Sequence, residues 1–142
     1  MAAYFEDLNL TGMANWMRLQ ADEEHEHSLK FYDFIIKISG RVTLGQIDKP
    51  KSSWKTPKEA FQEALAHEQF ITKSINELTD LAISEKDHST NTFLHWFIDE
   101  QVEEEAAAGD IVQKFNLIDE SKSGLYMLDR ELGQRVNSPI AE

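Results

Sequence analysis

Two short spacings in this chain place metal-binding side chains side by side. Glu24-x-x-His27 and Gln101-x-x-Glu104 each put two ligand-capable groups on one face of a helix, about 60° apart around its axis. Glu68 adds a carboxylate in the middle of a third helical stretch. Carboxylate oxygens with one imidazole suit Fe(II) or Mn(II), whereas a cysteine-free, histidine-poor set matches structural zinc or copper poorly. Two ions bridged by a shared carboxylate would sit roughly 3.5–4 Å apart.

Each of these residues interrupts an apolar stripe. Spacings of three and four pick out Met13, Met17, Gln20, Glu24, His27, Phe31, Phe34 and Ile38 on the first long stretch. They pick out Phe61, Leu65, Glu68, Thr72, Ile75 and Ala82 on the second. On the third they give Leu94, Phe97, Gln101, Glu104, Ala108, Ile111 and Phe115. The polar breaks fall near the middle of each stretch, so they share a layer whichever way neighbouring rods run. Desolvation and mutual repulsion both oppose burying several carboxylates together unless cations compensate, and a dinuclear metal cluster accounts for the pattern. One glutamate in an apolar stripe, or one Glu-x-x-His, is common by chance; three stretches breaking at matching depth are not. By spacing alone, Glu23, Glu100, Glu103 and Glu105 belong to charge runs of the kind that form a solvated face. His25, His67, His88 and His95 fall off the stripes, and Trp16, Trp54 and Trp96 read as packing or subunit-contact residues.

The elements that must carry these groups are long helices. Helices are expected over Thr11 to Ser39, Pro57 to Ser84 and Asp87 to Phe115, with shorter pieces at Met1 to Leu8 and Ser123 to Gln134. Rods of about 28 residues, or 42 Å, stay in contact only in a bundle. The short Glu85–Lys86 link makes the second and third rods antiparallel neighbours. The roughly 15-residue stretch from Gly40 to Thr56 can extend about 50 Å, enough for a crossover joining parallel rods. The expected fold is an all-α four-helix bundle with a long crossover and a short fifth helix. Residues 1–136 form one domain in this reading, and 137–142, around Pro139, a flexible tail.

Composition narrows the function classes. The 142 residues are enough for one packed domain. With no cysteine, the chain has no disulfide framework, thiolate zinc site or Cys-ligated iron module. The N-terminus has neither a basic n-region nor an apolar h-region, and no run is long enough to span a bilayer, so the expected location is cytoplasmic, with no membrane partner. Net charge is −12, with 26 acidic and 14 basic residues and no basic cluster to serve as a phosphate footprint, so no nucleic-acid partner is expected. An acidic surface concentrates cations.

Three segments resemble the ferroxidase segments of bacterial non-haem ferritins: Ala21-Asp22-Glu23-Glu24-His25-Glu26-His27, His67-Glu68-Gln69, and Trp96 through Glu100-Gln101-Val102-Glu103-Glu104. The similarity runs along nearly the whole chain. It implies an iron pair in which Glu24 bridges, His27 binds one iron and Glu68 with Glu104 binds the other, while Gln101 lies close by. It implies a third iron site drawing on Glu23, Glu100, Glu103 and Glu104. It implies oxidation of Fe(II) by O₂ or peroxide, ferric mineral deposited in a cavity, and a homo-oligomeric shell of twenty-four subunits whose short fifth helices line channels. Haem is not expected: the haem-binding bacterioferritins carry Met in the slot of His25, and a second Glu-x-x-His in place of Gln101-x-x-Glu104.

One departure bears on activity. Members of the family have a complete first helix that supplies a further Glu ligand and a nearby Tyr, whereas Met1 to Leu8 resembles only the end of that helix. The expectation is a chain lacking most of its first bundle helix. Other readings are a catalytically impaired shell subunit, a structural helical bundle, or another diiron oxidase. A lone bundle has no evident need for Trp54, Leu125, Leu128 and Leu132, which are therefore expected to meet other subunits.

Overall fold

A computed structural model describes residues 1–136 of the protein; the 137–142 tail lies outside the described residues. Among the described residues all regular structure is helical: α1 (Ala2–Asp7), α2 (Thr11–Lys37), α3 (Pro57–Ser84), α4 (His88–Ile118) and α5 (Lys122–Leu132). None of these helices is long and apolar enough to cross a membrane. The expected starts at Thr11 and Pro57 and the stop at Ser84 coincide with those observed. Helix α4 runs past Phe115 to Ile118, and α2 stops at Lys37, short of Ser39. The chain forms two compact units, one of Met1–Trp54 with the segment from Glu120, and one of Lys55–Asp119.

In the first unit, α1 and α5 both pack on α2. Phe5, Met13, Ala14, Trp16, Met17, Trp54, Leu128 and Leu132 are buried. Trp54 packs edge-on against Tyr4, with ring centroids 5.1 Å apart, and the Lys51 ammonium lies 5.4 Å from the Trp54 ring centroid. The expectation that Trp54, Leu128 and Leu132 are left for other subunits is therefore corrected: this chain covers them itself, and Leu125 is half-buried. Arg18 on α2 pairs with Glu6 on α1.

Helix α2 begins without a local cap. Its N-cap residue is Leu10, which has no side-chain acceptor to offer. The acceptor comes from the far end of the chain: Met13 N donates to Asp129 Oδ1 at 2.9 Å. That bond needs α5 to lie almost on the backbone of α2. A Cβ at Gly12 would sit 1.7 Å from the Asp129 carbonyl oxygen, so only glycine admits the contact.

The second unit is the α3–α4 hairpin. Thr56 caps α3 by accepting from Glu59 N at 3.1 Å, Pro57 occupies the first turn, and Glu59 accepts from Lys55 N at 2.8 Å, a variant of the capping box. The turn into α4 is tight because two motifs overlap. Lys86 N donates to the Ile83 carbonyl and Asp87 N to that of Ala82, closing α3 in a Schellman motif with Lys86 at φ 58°. Asp87 then caps α4, accepting from Thr90 N at 3.0 Å and from the Thr90 hydroxyl at 2.6 Å. The Thr90 hydroxyl, chiefly, holds the Asp87 carboxyl below its ordinary pKa. Phe61 near the start of α3 meets Phe115 near the end of α4 at 5.6 Å between centroids, so the two rods are antiparallel as expected.

Turn residues other than glycine carry the left-handed conformations: Asn9, Ser39, Lys86 and Asp119 have positive φ, and no described glycine does. Gly40 serves α2 differently, since a Cβ there would lie 2.9 Å from the Ile35 carbonyl oxygen.

Two stability outcomes follow from these contacts. Asp129→Ala removes the remote cap and should cost about 1–2 kcal/mol in urea unfolding, with Asp129→Asn losing less because it keeps an acceptor. Gly109, in the interior of α4, has nothing within 4 Å of an added Cβ. Gly109→Ala should therefore raise stability by about 0.5–1 kcal/mol, and an unchanged unfolding midpoint would contradict that.

Candidate metal centre

The apolar stripe of α4 is observed as read: Leu94, Phe97, Gln101, Glu104, Ala108, Ile111 and Phe115 are all buried. On α3, Phe61, Glu68, Ile75 and Ala82 are buried, while Leu65 and Thr72 are half-buried. On α2 the stripe is buried at Met13, Met17, Gln20 and His27, half-buried at Phe31 and Phe34, and exposed at Ile38. Glu24 departs from its expected burial, with 46% of its side chain exposed. Periodicity gives the direction of a side chain; whether anything covers it depends on the layer opposite.

Within the second unit Glu68 and Glu104 are each only 6% exposed, and Gln101 is 4%. The Gln101 amide nitrogen donates to the Glu68 carbonyl at 3.2 Å, and lies 3.4 Å from both the Glu68 carboxylate and the Thr72 hydroxyl. Thr72 Oγ1 is 3.0 Å from the Glu68 carbonyl and also bonds the Glu105 carboxylate. Gln101 thus braces Glu68 across the hairpin, and Glu104 follows one turn further along α4. Glu100 is half-buried and Glu103 exposed.

Within the first unit the Glu24 carboxylate stands between its helical neighbours. Gln20 Nε2 lies 3.5 Å from Glu24 Oε1, and His27 Nδ1 lies 3.5 Å from Glu24 Oε2. His27 is buried. These separations are at the long limit for hydrogen bonds, a loose pre-arrangement of two ligand-type groups. Glu23, placed on a solvated face by its charge run, is half-buried and pairs with Arg135. His25, His67, His88 and His95 are exposed, as their positions off the stripes suggested.

Sequence reasoning missed Thr72 and Arg135 as partners of these groups. Thr72 had a usable signal, since it lies one turn beyond Glu68 on the same stripe. Arg135 had none: its partners on α2 lie more than a hundred positions away in sequence.

The ferritin-like domain model matches residues 1–118. This chain belongs to the ferritin family. Iron storage is the function that membership carries. A bacterial non-haem ferritin of Bacteroides fragilis is 40% identical over 135 residues, which are 95% of this chain and 84% of that protein. One from Staphylococcus haemolyticus is 38% identical over 95% of this chain and 81% of its own length. Among solved structures, the open-pore ferritin of the hyperthermophilic archaeon Archaeoglobus fulgidus superposes with a TM-score of 0.95 at 47% identity, covering 96% of this chain and 84% of that one. The helical architecture of this ferritin chain is therefore that of the ferritin four-helix bundle.

Bringing a second carboxylate beside Glu68 tests how the second unit handles charge. Gln101→Glu would replace an amide donor 3.4 Å from the Glu68 carboxylate by a like charge. The metal-free variant should lose about 1–3 kcal/mol, and added Fe(II) or Zn(II) should restore more of its melting temperature than it adds to the parent. Equal metal-induced shifts in the two proteins would show that these side chains do not meet a cation.

Proposed function

We propose that this ferritin chain oxidises Fe(II) at a dinuclear centre and passes Fe(III) to a mineral stored inside a homo-oligomeric shell. The observation that carries this reading is the pair of buried carboxylates, Glu68 and Glu104, on neighbouring helices with Gln101 holding one of them. Carboxyl oxygens gathered in a buried layer are hard donors held away from water, and such donors suit a hard cation.

In this reading Glu24 bridges the two iron ions, His27 binds one, and Glu68 with Glu104 binds the other. Glu24, His27 and Glu104 can each offer one ligand atom. Glu23, Glu100 and Glu103 join Glu104 at a third iron position. Iron is substrate here. Two Fe(II) give up one electron each, and O₂ takes both to become peroxide; with peroxide as oxidant, two protons are consumed and two waters form. The chain's own side chains supply preorganised oxygen and nitrogen donors, and Gln101 keeps the Glu68 carboxylate aimed while the charge on iron rises.

Assembly is part of the same reading. Leu29, Tyr32 and Ile36 form an exposed apolar row on α2, and Phe70, Leu81 and Ile83 leave further apolar surface on α3. Such rows support association with other copies, and the acidic charge of many copies would draw cations inward.

The decisive measurement is stopped-flow oxidation after anaerobic Fe(II) loading. The parent should oxidise two Fe(II) per chain in a fast phase, and His27→Ala should slow that phase by about 10-fold or more while keeping its helical signal. Equal rates would remove His27 from the ligand set. No fast phase in either protein would favour a shell subunit without an oxidation centre.

A further inference from the structure

Among the described residues after α5, Arg135 makes a charge contact that the iron reading does not use. Arg135 Nη1 donates to Gln20 Oε1 at 3.0 Å, and its Nη2 pairs with the Glu23 carboxylate. Its guanidinium lies 4.6 Å from the Trp16 ring centroid, and its backbone carbonyl accepts from Asn15 Nδ2 at 3.3 Å. The two paired side chains are largely withdrawn from water, at 23% exposure for Arg135 and 20% for Glu23. Asn15, Trp16, Gln20 and Glu23 therefore form a dock on α2 that one arginine fills.

We propose that the Arg135 guanidinium holds the cation position at Glu23, so that a metal ion binding Glu23 must first displace the end of the α5 segment. The proposal rests on the reading of Glu23 as a third-site iron ligand. A guanidinium cannot shed its charge, so it cannot give way by deprotonation. A divalent ion on the same carboxylate would stand within a few ångströms of that fixed positive charge, in a site where water screens little. The two occupants exclude each other. Linkage then runs both ways: iron at Glu23 loosens the 133–136 segment, and docking of that segment weakens iron binding there by the same factor. Arg135 is in this sense a positioning residue, setting when the third site opens without touching the dinuclear pair.

The test is anaerobic calorimetric titration of the full chain with Fe(II), and with Zn(II) as a redox-silent probe, for the parent, Arg135→Gln and Arg135→Lys. Arg135→Gln should tighten the weak class of sites by about 10-fold and leave the strong class unchanged, while Arg135→Lys, which keeps a charge at the dock, should stay near the parent. Hydrogen exchange of residues 128–136 gives an independent readout. Saturating metal should speed exchange there in the parent, and Glu23→Gln should abolish that response. If the parent and Arg135→Gln bind every class alike and exchange ignores metal, the competition is refuted while the iron reading stands. If the parent binds no Fe(II) at all, both fail together.

Discussion

One hydrogen bond sets the first unit of this protein: the amide of Met13 donating to the carboxylate of Asp129. A helix starts with unpaired amide donors, and Leu10 cannot serve the first turn of α2. The missing acceptor arrives from α5, and the absence of a side chain at Gly12 lets it arrive at backbone contact. The described residues after Asp129 inherit their direction from it. With α5 laid against the first turns of α2, Leu128 and Leu132 are buried, and Arg135 comes alongside Trp16, Gln20 and Glu23. A single cap thus ties the start of one helix to the last described segment of the chain.

The second unit solves a different problem. Its hairpin carries two carboxylates into a nearly dry environment, where each loses hydration that a bare hydrogen bond only partly replaces. Gln101 offers its amide to Glu68, and Thr72 reaches from the Glu68 backbone carbonyl to the Glu105 carboxylate, so polar side chains from both helices converge on this layer. A fold built only for stability would place leucine at such positions. Ferritin chains store iron, and carboxylate oxygens are the donors a hard cation takes.

How much of this was legible in the sequence depends on the range of the interaction. The seven stripe positions of α4 were readable because a hairpin partner follows at once and the 3.6-residue period repeats over many turns. Helix starts at Pro57 and stops at Ser84 were readable because their caps are local. Asp129 and Arg135 were not, since each acts on residues more than a hundred positions away and nothing in a short helix marks which of its charges turns inward. Trp54 misled for a related reason: one ring it packs against is that of Tyr4, some fifty positions earlier in the sequence. Glu24 shows a further limit, because it lies along a stripe whose neighbours Gln20 and His27 are buried while it stays half in water.

The turn between α3 and α4 has no slack. Lys86 is the only residue between the C-cap of α3 and Asp87, and Asp87 both completes the closing motif of one helix and caps the next. The hairpin therefore fixes the rotational phase of α4 as well as its direction. Each residue of a helix turns its successor by about 100°. A one-residue insertion or deletion at this turn, unless absorbed by a bulge, would swing Gln101 and Glu104 off the face that meets Glu68 and replace them with neighbours from the charged run beside them. Such an indel would leave composition and helix content almost unchanged and still break the Gln101 contact to Glu68. Along this lineage of sequences, the length of that three-residue corner should vary far less than the identity of the residues within it.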